Sequence, residues 1–293
     1  MRISDCIRKA ARELAEAGIA GGELDVQLLL GDCLGKSRTE LYLAAKAEIP
    51  PQLLERFTLM LGRRRQREPI AYILGEREFW SLPFTVTPAV LIPRPETEFL
   101  VEQLLVAAWK RQLPHGHVLD LCCGSGVIAI VLALELGRDI IAVDLSGEAL
   151  AVARQNRSRH RVEDRVALVR ADLVDAFAGR GRISLMVSNP PYISRHEISE
   201  ELDPEVVAYE PLLALDGGED GLDVIRRIKA GLPDLMLPGG EVFVEIGAGQ
   251  GGDLLEMFAD EDGTEGFFEH VEVLKDYAGR NRVLHVRMAR DIW

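Results

Sequence analysis

The sequence lacks any apolar run long enough to cross a membrane, about 18 residues or more, although 47% of its 293 residues are hydrophobic. We therefore expect no membrane span. The opening segment, MRISDCIRKAARELAEAG, carries charges throughout and has no apolar core of the kind found in signal peptides. The expected location is the cytoplasm.

Cysteine is also scarce. The four residues Cys6, Cys33, Cys122 and Cys123 form no CxxC pair, and adjacent cysteines are poor disulfide partners. This pattern favours a reduced, cytoplasmic protein. No histidine or cysteine spacing typical of a metal site accompanies them, and the six histidines form no cluster in the sequence. We predict no metal site and no essential histidine.

Positive charge is in short supply, because 34 Lys and Arg face 47 Asp and Glu for a formal net charge of -13. A nucleic-acid-binding protein needs local positive charge to neutralise phosphates. The one dense basic cluster is RRRQR, residues 63–67. It is either the solvated C-terminal end of a helix, where cations suit the dipole, or a contact with an RNA-rich or acidic partner. We expect no direct sequence-specific binding of nucleic acid.

Hydrophobic periodicity divides the chain into three parts. Residues 1–70 have apolar side chains at helical spacing and predict a small helical bundle. Residues 71–92 are rich in aromatic and β-branched residues, punctuated by Gly75 and Pro83, and predict a β-hairpin linker. In residues 93–293 strand and helix patterns alternate, which favours an α/β domain with a parallel sheet covered by helices on both faces.

Two glycines mark the first candidate site. In VLDLCCGSGVIAI, Gly124 and Gly126 lie between a predicted strand and a predicted helix. Glycines there let a ligand approach the backbone, and the helix N-terminus offers free N–H groups. Asp144 ends the next predicted strand, 20 residues after Gly124, where a carboxylate can accept both hydroxyls of a ribose.

Acidic residues near this corner bear on the choice of ligand. The third glycine of the dinucleotide pattern GxGxxG falls on Ala129, which is tolerated there, so a dehydrogenase remains open. Asp120, at the tip of the strand, would repel a pyrophosphate but suits a sulfonium or ammonium group, which favours S-adenosylmethionine over NAD. Asp172, after the following strand, is either a neighbour of an adenine or an ordinary helix N-cap.

The second candidate site is SNPPYIS, residues 188–194, where a buried strand ends on two prolines. The Pro-Pro step fixes the backbone, so the Asn189 side-chain carbonyl and the Pro190 carbonyl could accept both hydrogens of a planar NH₂ group. Tyr192 could stack on that group. In open α/β sheets such strand ends meet at the switch point where ligands bind.

These motifs resemble those of class I methyltransferases that act on amide or exocyclic amine nitrogens. The NPPY motif alone does not choose between DNA adenine and protein glutamine as the target. GEREFWSLPFTVTPAVLIPRPETEFLVE (75–102) and YEPLLALDGGEDGLDVIRRI (209–228) closely resemble the PrmC (HemK) family. The resemblance covers essentially the whole chain and is most specific from about residue 70 onward.

This resemblance implies a Rossmann-like fold with a seven-stranded, mostly parallel sheet, joined by a hairpin to a helical domain that recognises substrate. It implies transfer of a methyl group from S-adenosylmethionine, with S-adenosylhomocysteine as product, to the glutamine of the Gly-Gly-Gln motif in class-1 peptide chain release factors. We expect a monomer. The family usually has Gly and Thr where this chain has Cys122 and Cys123, which puts the local backbone in question.

The implied site residues follow from these matches. Asp144 would hold the ribose, and Leu173 would abut the adenine. Asn189, Pro190 and Tyr192 are the expected catalytic residues, and Pro191 joins them in holding the glutamine. The expected donor-binding residues are Asp120, Cys122, Cys123, Gly124, Ser125, Gly126, Asp144, Asp172, Leu173 and Asn189.

Neighbouring residues carry further expectations. Phe84 and the IPRPETE loop are expected to wall the site, although Arg94, Pro95 and Glu96 also suit helix capping. Glu245 ends another strand, where it lines the pocket, faces solvent or pairs with an arginine. The rival functions are a DNA N6-adenine methyltransferase, a non-catalytic scaffold of the translation machinery, and a methyltransferase for ribosomal protein or RNA.

Overall fold

The computed structural model describes residues 1–111, 113–177, 181–259 and 266–290. The chain divides into two compact units. The first comprises Met1–Glu76 with Asp203–Tyr209, and the second comprises Arg77–Leu202 with Glu210–Trp293. None of the described helices combines the length and apolar character needed to span a membrane.

The first unit is helical, as predicted. The first helix, α1 (Ile3–Glu16), places Ile3, Cys6, Ala10 and Leu14 on its buried face, a spacing of three or four residues that matches the helical period. The second helix, α2 (Gly22–Leu34), ends at Gly35, whose φ of 60° is the left-handed conformation that glycine adopts without strain. The helices are α1 (Ile3–Glu16), α2 (Gly22–Leu34), α3 (Arg38–Leu43), α4 (Pro51–Arg65), α5 (Ile70–Leu74) and, much later in the chain, α10 (Pro204–Tyr209).

The RRRQR cluster fits neither sequence interpretation fully. It does form the C-terminal end of α4, but Arg64 is only 6% exposed and pairs with Asp25 at 2.7 Å and with Glu205 at 2.9 Å. Its neighbour Arg63 pairs with Glu68. Because these charges are matched inside the helical unit, the cluster stabilises that unit and leaves little positive charge for a phosphate backbone.

The hairpin is shorter than the predicted segment 71–92. Its strands are β1 (Glu76–Phe79) and β2 (Leu82–Thr85), and most of the segment's first residues belong to α5 instead. Pro69 precedes that helix and Gly75 ends it with φ 73°, so a short helix is well capped here. The strands are joined by Trp80 and Ser81, both with positive φ, as in the two-residue turns that suit strand twist.

The second unit contains the predicted α/β sheet. The strands are β3 (His117–Leu121), β4 (Ile140–Asp144), β5 (Val166–Arg170), β6 (Ile183–Ser188), β7 (Met236–Glu245), β8 (Phe268–Lys275) and β9 (Asn281–Met288). These seven strands lie in the order β5-β4-β3-β6-β7-β9-β8, and β9 runs antiparallel to its neighbours. The helices are α6 (Pro95–Lys110), α7 (Val127–Leu136), α8 (Gly147–Arg159), α9 (Arg195–Glu200), α11 (Asp223–Leu235) and α12 (Gly251–Ala259).

The strand order creates a switch point. From β3 the chain proceeds outward to β4 and β5, whereas β6 lies on the other side of β3 and leads to β7. Separate hydrophobic clusters fill the two layers, one built around α6 and α7 and the other around α11 and α12. Loops that leave β3 and β6 therefore diverge to opposite faces, and they open a crevice between the strand ends.

Candidate active site

A pocket of about 380 Å³ opens within the second unit, at the carboxyl ends of the strands. Its walls come from the loop before α6, from the turns after β3, β4 and β5, from the start of the NPPY motif, and from residues 211–216. The volume is typical of small-molecule sites, which range from about 300 to 1,000 Å³. Nine of the predicted site residues line it: Cys122, Cys123, Gly124, Ser125, Asp144, Asp172, Leu173, Asn189 and Pro191.

The glycine corner keeps its tight turn despite the cysteine. Gly124 and Gly126 have φ of 53° and 80°, and Cys122 itself has φ of 61°. A left-handed backbone at a residue with a Cβ costs about 1–2 kcal/mol. The turn is held by bonds from the Cys123 N–H to Val143 and from the Gly126 N–H to Cys123. The corner thus has the expected shape, with strain stored at Cys122.

The two adjacent cysteines are not suited to redox chemistry. Burial, followed by the charge of Asp144, raises the pKa of Cys122 to about 12. Burial and the nearby carboxylates also raise the pKa of Cys123 well above its ordinary value. Because the thiolate is the reactive form, these thiols serve as small packing groups.

Asp120 lies behind the pocket wall and not on it. Its side chain is fully buried, and Oδ2 accepts a hydrogen bond from the Ala129 N–H at 2.9 Å, in the first turn of α7. Oδ1 has no hydrogen-bond partner among the described residues. Burial raises the pKa of this carboxyl well above its ordinary value. Asp120 therefore satisfies one of the free N–H groups in the first turn of α7.

Asp144 is held rigidly at the end of β4. Its two carboxylate oxygens accept hydrogen bonds from the backbone N–H groups of Gly124 and Ser146, both at 2.8 Å. Burial raises its pKa, and these hydrogen bonds oppose that rise. A carboxylate has about four lone-pair positions, so two remain for a ligand. The Asp144 side chain also links the turn after β3 to the turn after β4.

Asp172 and Leu173 follow β5 and form the far wall. Asp172 makes no side-chain cap to the following helical turn; it pairs with Arg227 at 2.9 Å. The N-cap interpretation is therefore wrong for its side chain. Leu173 has φ of 49°, a second strained residue on the pocket wall.

A buried chain of hydrogen bonds supports the NPPY motif. The Asn189 Nδ2 lies 3.1 Å from the Thr97 hydroxyl, which lies 2.7 Å from Glu245 Oε2. The Tyr192 hydroxyl donates to the other oxygen of Glu245 at 3.1 Å. Burial raises the pKa of Glu245 and of the Tyr192 hydroxyl. Glu245 is therefore shielded from solvent, pairs with no arginine that the structure describes, and lies outside the pocket lining.

The backbone after Asn189 is fixed by close approach of glycines. Gln250 donates its amide hydrogen to the Tyr192 carbonyl at 2.8 Å. A Cβ on Gly217 would lie 2.8 Å from the Tyr192 Cα, and one on Gly221 would lie 2.4 Å from the Tyr192 carbonyl oxygen. The LDGGEDGLD segment therefore needs these glycines so that it can pack against the NPPY loop.

Two walls of the pocket are joined by an ion pair. The Arg94 guanidinium lies 2.5 Å from Glu210 Oε1, and Glu210 Oε2 accepts a hydrogen bond from the Ile92 N–H at 3.1 Å. Glu210 is only 6% exposed. Arg94 precedes α6 without capping it through its side chain. Its role is therefore to connect the loop before α6 with the segment that follows Glu210.

Some predicted residues lie elsewhere, and others were missed. Phe84 was expected to wall the site, but it is fully buried in the core against Phe79 and His160, because its strand position faces inward. Gly126, Pro190 and Tyr192 support the pocket from outside its lining. The sequence interpretation missed Thr97, Arg227 and the buried Asn156, which holds the Ser125 carbonyl.

Comparison with known families matches both units. Residues 5–75 match the family described as PrmC N-terminal domain, and residues 95–222 match the family described as Methyltransferase small domain. Among curated relatives, the release factor glutamine methyltransferase of Geobacter sulfurreducens is 43% identical over 248 residues, which is 84% of each chain. That of Cereibacter sphaeroides is 39% identical over 98% of this chain and 99% of the relative.

Solved structures share the fold at low sequence identity. The hMettl16 catalytic domain in complex with the MAT2A 3'UTR hairpin 1 gives a TM-score of 0.54 at 16% identity, covering 79% of this chain and 80% of that one. A methyltransferase from Pyrococcus furiosus gives 0.51 at 17% identity, covering 77% and 98%. These likenesses confirm the predicted methyltransferase fold.

Proposed function

The chain belongs to the family of release factor glutamine methyltransferases, and from that premise we propose that it methylates the glutamine side-chain nitrogen in the Gly-Gly-Gln motif of class-1 release factors. S-adenosylmethionine is the methyl donor. The observation that carries the proposal is the Asn189 amide, which is held by its nitrogen at the rim of a donor-sized pocket.

The charges of the pocket fit a cationic donor. Its described lining contains four carboxylates, from Asp144, Glu148, Asp172 and Asp216, and one basic side chain, Arg227, which is already paired. A dinucleotide pyrophosphate would be repelled by this excess of negative charge. A sulfonium and an ammonium group are instead stabilised by it. This balance supports S-adenosylmethionine over NAD, the alternative that the glycine pattern leaves open.

The backbone also leaves room for the donor. A Cβ added at Gly124 would meet nothing within 4 Å, so the corner is open toward the pocket. In the proposal Asp144 binds the ribose, Leu173 contacts the adenine, and Gly124 and Ser125 border the amino-acid part. S-adenosylmethionine supplies an electrophilic methyl group when it is bound there.

The donor and acceptor roles along the hydrogen-bonded chain determine which way the Asn189 amide is oriented. An ionised Glu245 can only accept, so the Thr97 hydroxyl must donate its hydrogen to that carboxylate. The hydroxyl lone pair then accepts from the Asn189 Nδ2. This arrangement leaves the Asn189 Oδ1 free to accept, since no described residue donates to it. Thr97 and Glu245 are therefore positioning residues for the asparagine.

The two carbonyls would act on the substrate nitrogen directly. An amide nitrogen is a weak nucleophile, because its lone pair is delocalised into its own carbonyl. As that nitrogen attacks a methyl group it gains positive charge, and its N–H bonds become stronger donors. Acceptors at Asn189 Oδ1 and the Pro190 carbonyl stabilise that charge and orient the lone pair. The product loses a proton readily, so no strong base has to act first.

The test compares substrates for one enzyme preparation. The protein is incubated with a radiolabelled methyl donor and either a release factor or duplex DNA that contains adenine. We expect label in the release factor alone and none when Asn189→Ala replaces the wild type. Calorimetry should show that Asn189→Ala still binds the donor. Label in DNA, or normal methylation of the release factor by Asn189→Ala, would contradict the proposal.

A further inference from the structure

Two histidines from adjacent strands, His270 on β8 and His285 on β9, meet on the β8–β9 hairpin. β8 and β9 pair antiparallel, and Glu272 lies opposite His285. His270 lies two residues before Glu272 on the same strand, so both side chains point to the same face. The ring centroids of the two histidines are 5.9 Å apart. The expectation that the histidines form no cluster, which came from the sequence, is therefore wrong for this pair.

The potential ligand atoms of these three residues converge. Glu272 Oε1 lies 2.9 Å from His285 Nδ1 and 3.2 Å from His270 Nε2, and the three atoms all lie within 4.8 Å of one another. Ligands at tetrahedral angles with zinc bonds of about 2.1 Å would be about 3.4 Å apart. Small side-chain rotations would therefore bring all three atoms onto one ion.

On the buried side of the cluster, Glu241 holds the ring of His285 in place. His285 Nε2 lies 2.8 Å from Glu241 Oε2, and Glu241 also pairs with Arg111 at 3.0 Å. With Nε2 held by Glu241, the other ring nitrogen of His285, Nδ1, faces the Glu272 carboxylate at 2.9 Å.

The convergence of three metal-ligating atoms, with Glu241 holding the far ring nitrogen of His285, is the geometry of a metal site. We propose that His270, Glu272 and His285 bind one divalent transition-metal ion, with Zn²⁺ as the best match. Two imidazoles and one carboxylate are ligands that zinc accepts, and the fourth position would hold water. The Glu241–His285 pair is the carboxylate contact that metal-bound histidines usually make.

The position suggests what the ion would do. β8 is the edge strand of the seven-stranded sheet, bonded on one side to β9. Two ligands come from β8 and one from β9, so the ion would cross-link the edge strand to its neighbour. Edge strands are otherwise open to pairing with other chains, and a cross-link would reduce local opening. The site would be structural and separate from the methyl-donor pocket.

The test uses the full, untagged chain at about pH 8, where an ordinary imidazole with a pKa of about 6.5 is neutral. Equilibrium dialysis against Zn²⁺ should give one ion per chain, and Zn²⁺ should raise the melting temperature. Co²⁺ should give the visible absorption of a tetrahedral site. His270→Ala and Glu272→Gln should weaken binding at least about tenfold. Both side chains are partly exposed, at 41% and 40%, and lie on the edge strand, so these variants should fold.

The matched control is His196→Ala, an exposed histidine on α9. It should bind Zn²⁺ as the wild type does. Undiminished binding in His270→Ala would overturn the proposal and point to other ligands such as the cysteines. Absence of binding by the wild type would also overturn it. So would a nuclear magnetic resonance spectrum that shows both His285 nitrogens protonated and unchanged by Zn²⁺, since His285 would then bridge the two glutamates as a cation.

Discussion

Thr97→Val tests whether the buried chain of hydrogen bonds behind Asn189 orients the side-chain amide that we propose to act on the substrate nitrogen. Valine has nearly the shape of threonine but lacks the hydroxyl, so both the acceptor for Asn189 Nδ2 and the donor to Glu245 are lost. A neutral hydrogen bond contributes about 1 kcal/mol, which corresponds to about a fivefold change in the population of the correct amide orientation. We therefore expect kcat to fall about fivefold.

The loss of kcat in Thr97→Val should not exceed the loss caused by removing the Asn189 side chain itself. Removal of one preorganised hydrogen-bonding group from an active site costs about 100- to 1,000-fold in kcat. Thr97→Val should stay well within that limit, because Asn189 is still present and is correctly oriented part of the time. The affinity for S-adenosylmethionine should change little, since the Asp144 carboxylate and the glycine corner are unchanged.

The assay is steady-state methylation of a release factor, with the free energy of unfolding measured on the same samples. Loss of the Thr97 hydroxyl, which donates a hydrogen bond to Glu245, should lower the free energy of unfolding by about 1.5–3 kcal/mol. The kinetics should therefore be run well below the melting temperature. Thr97→Ser retains the hydroxyl and is the matched control, with kcat close to wild type. Equal damage in Thr97→Ser, or an unchanged kcat in Thr97→Val, would refute the orienting role.

Three further predictions address the donor pocket and the buried carboxyl. Asp144→Ala should weaken donor binding by about 10- to 100-fold, the equivalent of a charged hydrogen bond of about 1.5–3 kcal/mol; unchanged affinity in calorimetry would remove the ribose assignment. Cys122→Gly should raise the free energy of unfolding by about 0.5–1 kcal/mol, because relief of the left-handed strain exceeds the entropic cost of glycine; equal or lower stability in urea unfolding would show that the turn is unstrained. Because burial raises the pKa of Glu245, its carboxyl group stays protonated to higher pH in the folded state than in the unfolded chain. The free energy of unfolding therefore falls as the pH rises above about 4.3. Glu245→Gln should therefore lessen the decline in unfolding free energy as the pH rises above about 4.3, and an identical decline in both proteins would contradict the assignment.

The sequence predicted the parts of the site that depend on local chain geometry. Gly124, Asp144 and Asn189 each follow a recognisable strand, and parallel strands bring their carboxyl ends to one edge of the sheet. The left-handed backbone of Cys122 could not be predicted from its residue type. The glycine pattern that follows it was nevertheless enough to predict the tight turn. Local periodicity likewise gave the helical unit and the order of strands and helices.

The supporting contacts could not be predicted, because they join distant residues. Thr97 is 92 residues from Asn189 and 148 from Glu245, and no local pattern specifies such pairings. The same holds for Arg94 with Glu210, which are 116 residues apart. Phe84 was misplaced for a related reason: an aromatic residue near a motif gives no sign of the face on which it packs.

The most direct test of the account is the mass of one peptide. A purified release factor is incubated with S-adenosylmethionine and the wild-type enzyme or Asn189→Ala, and its Gly-Gly-Gln peptide is analysed by fragmentation mass spectrometry. We expect one added methyl group on the glutamine side chain with the wild type, and an unmodified peptide with the variant. A methyl group on another residue, or equal modification by both proteins, would contradict it.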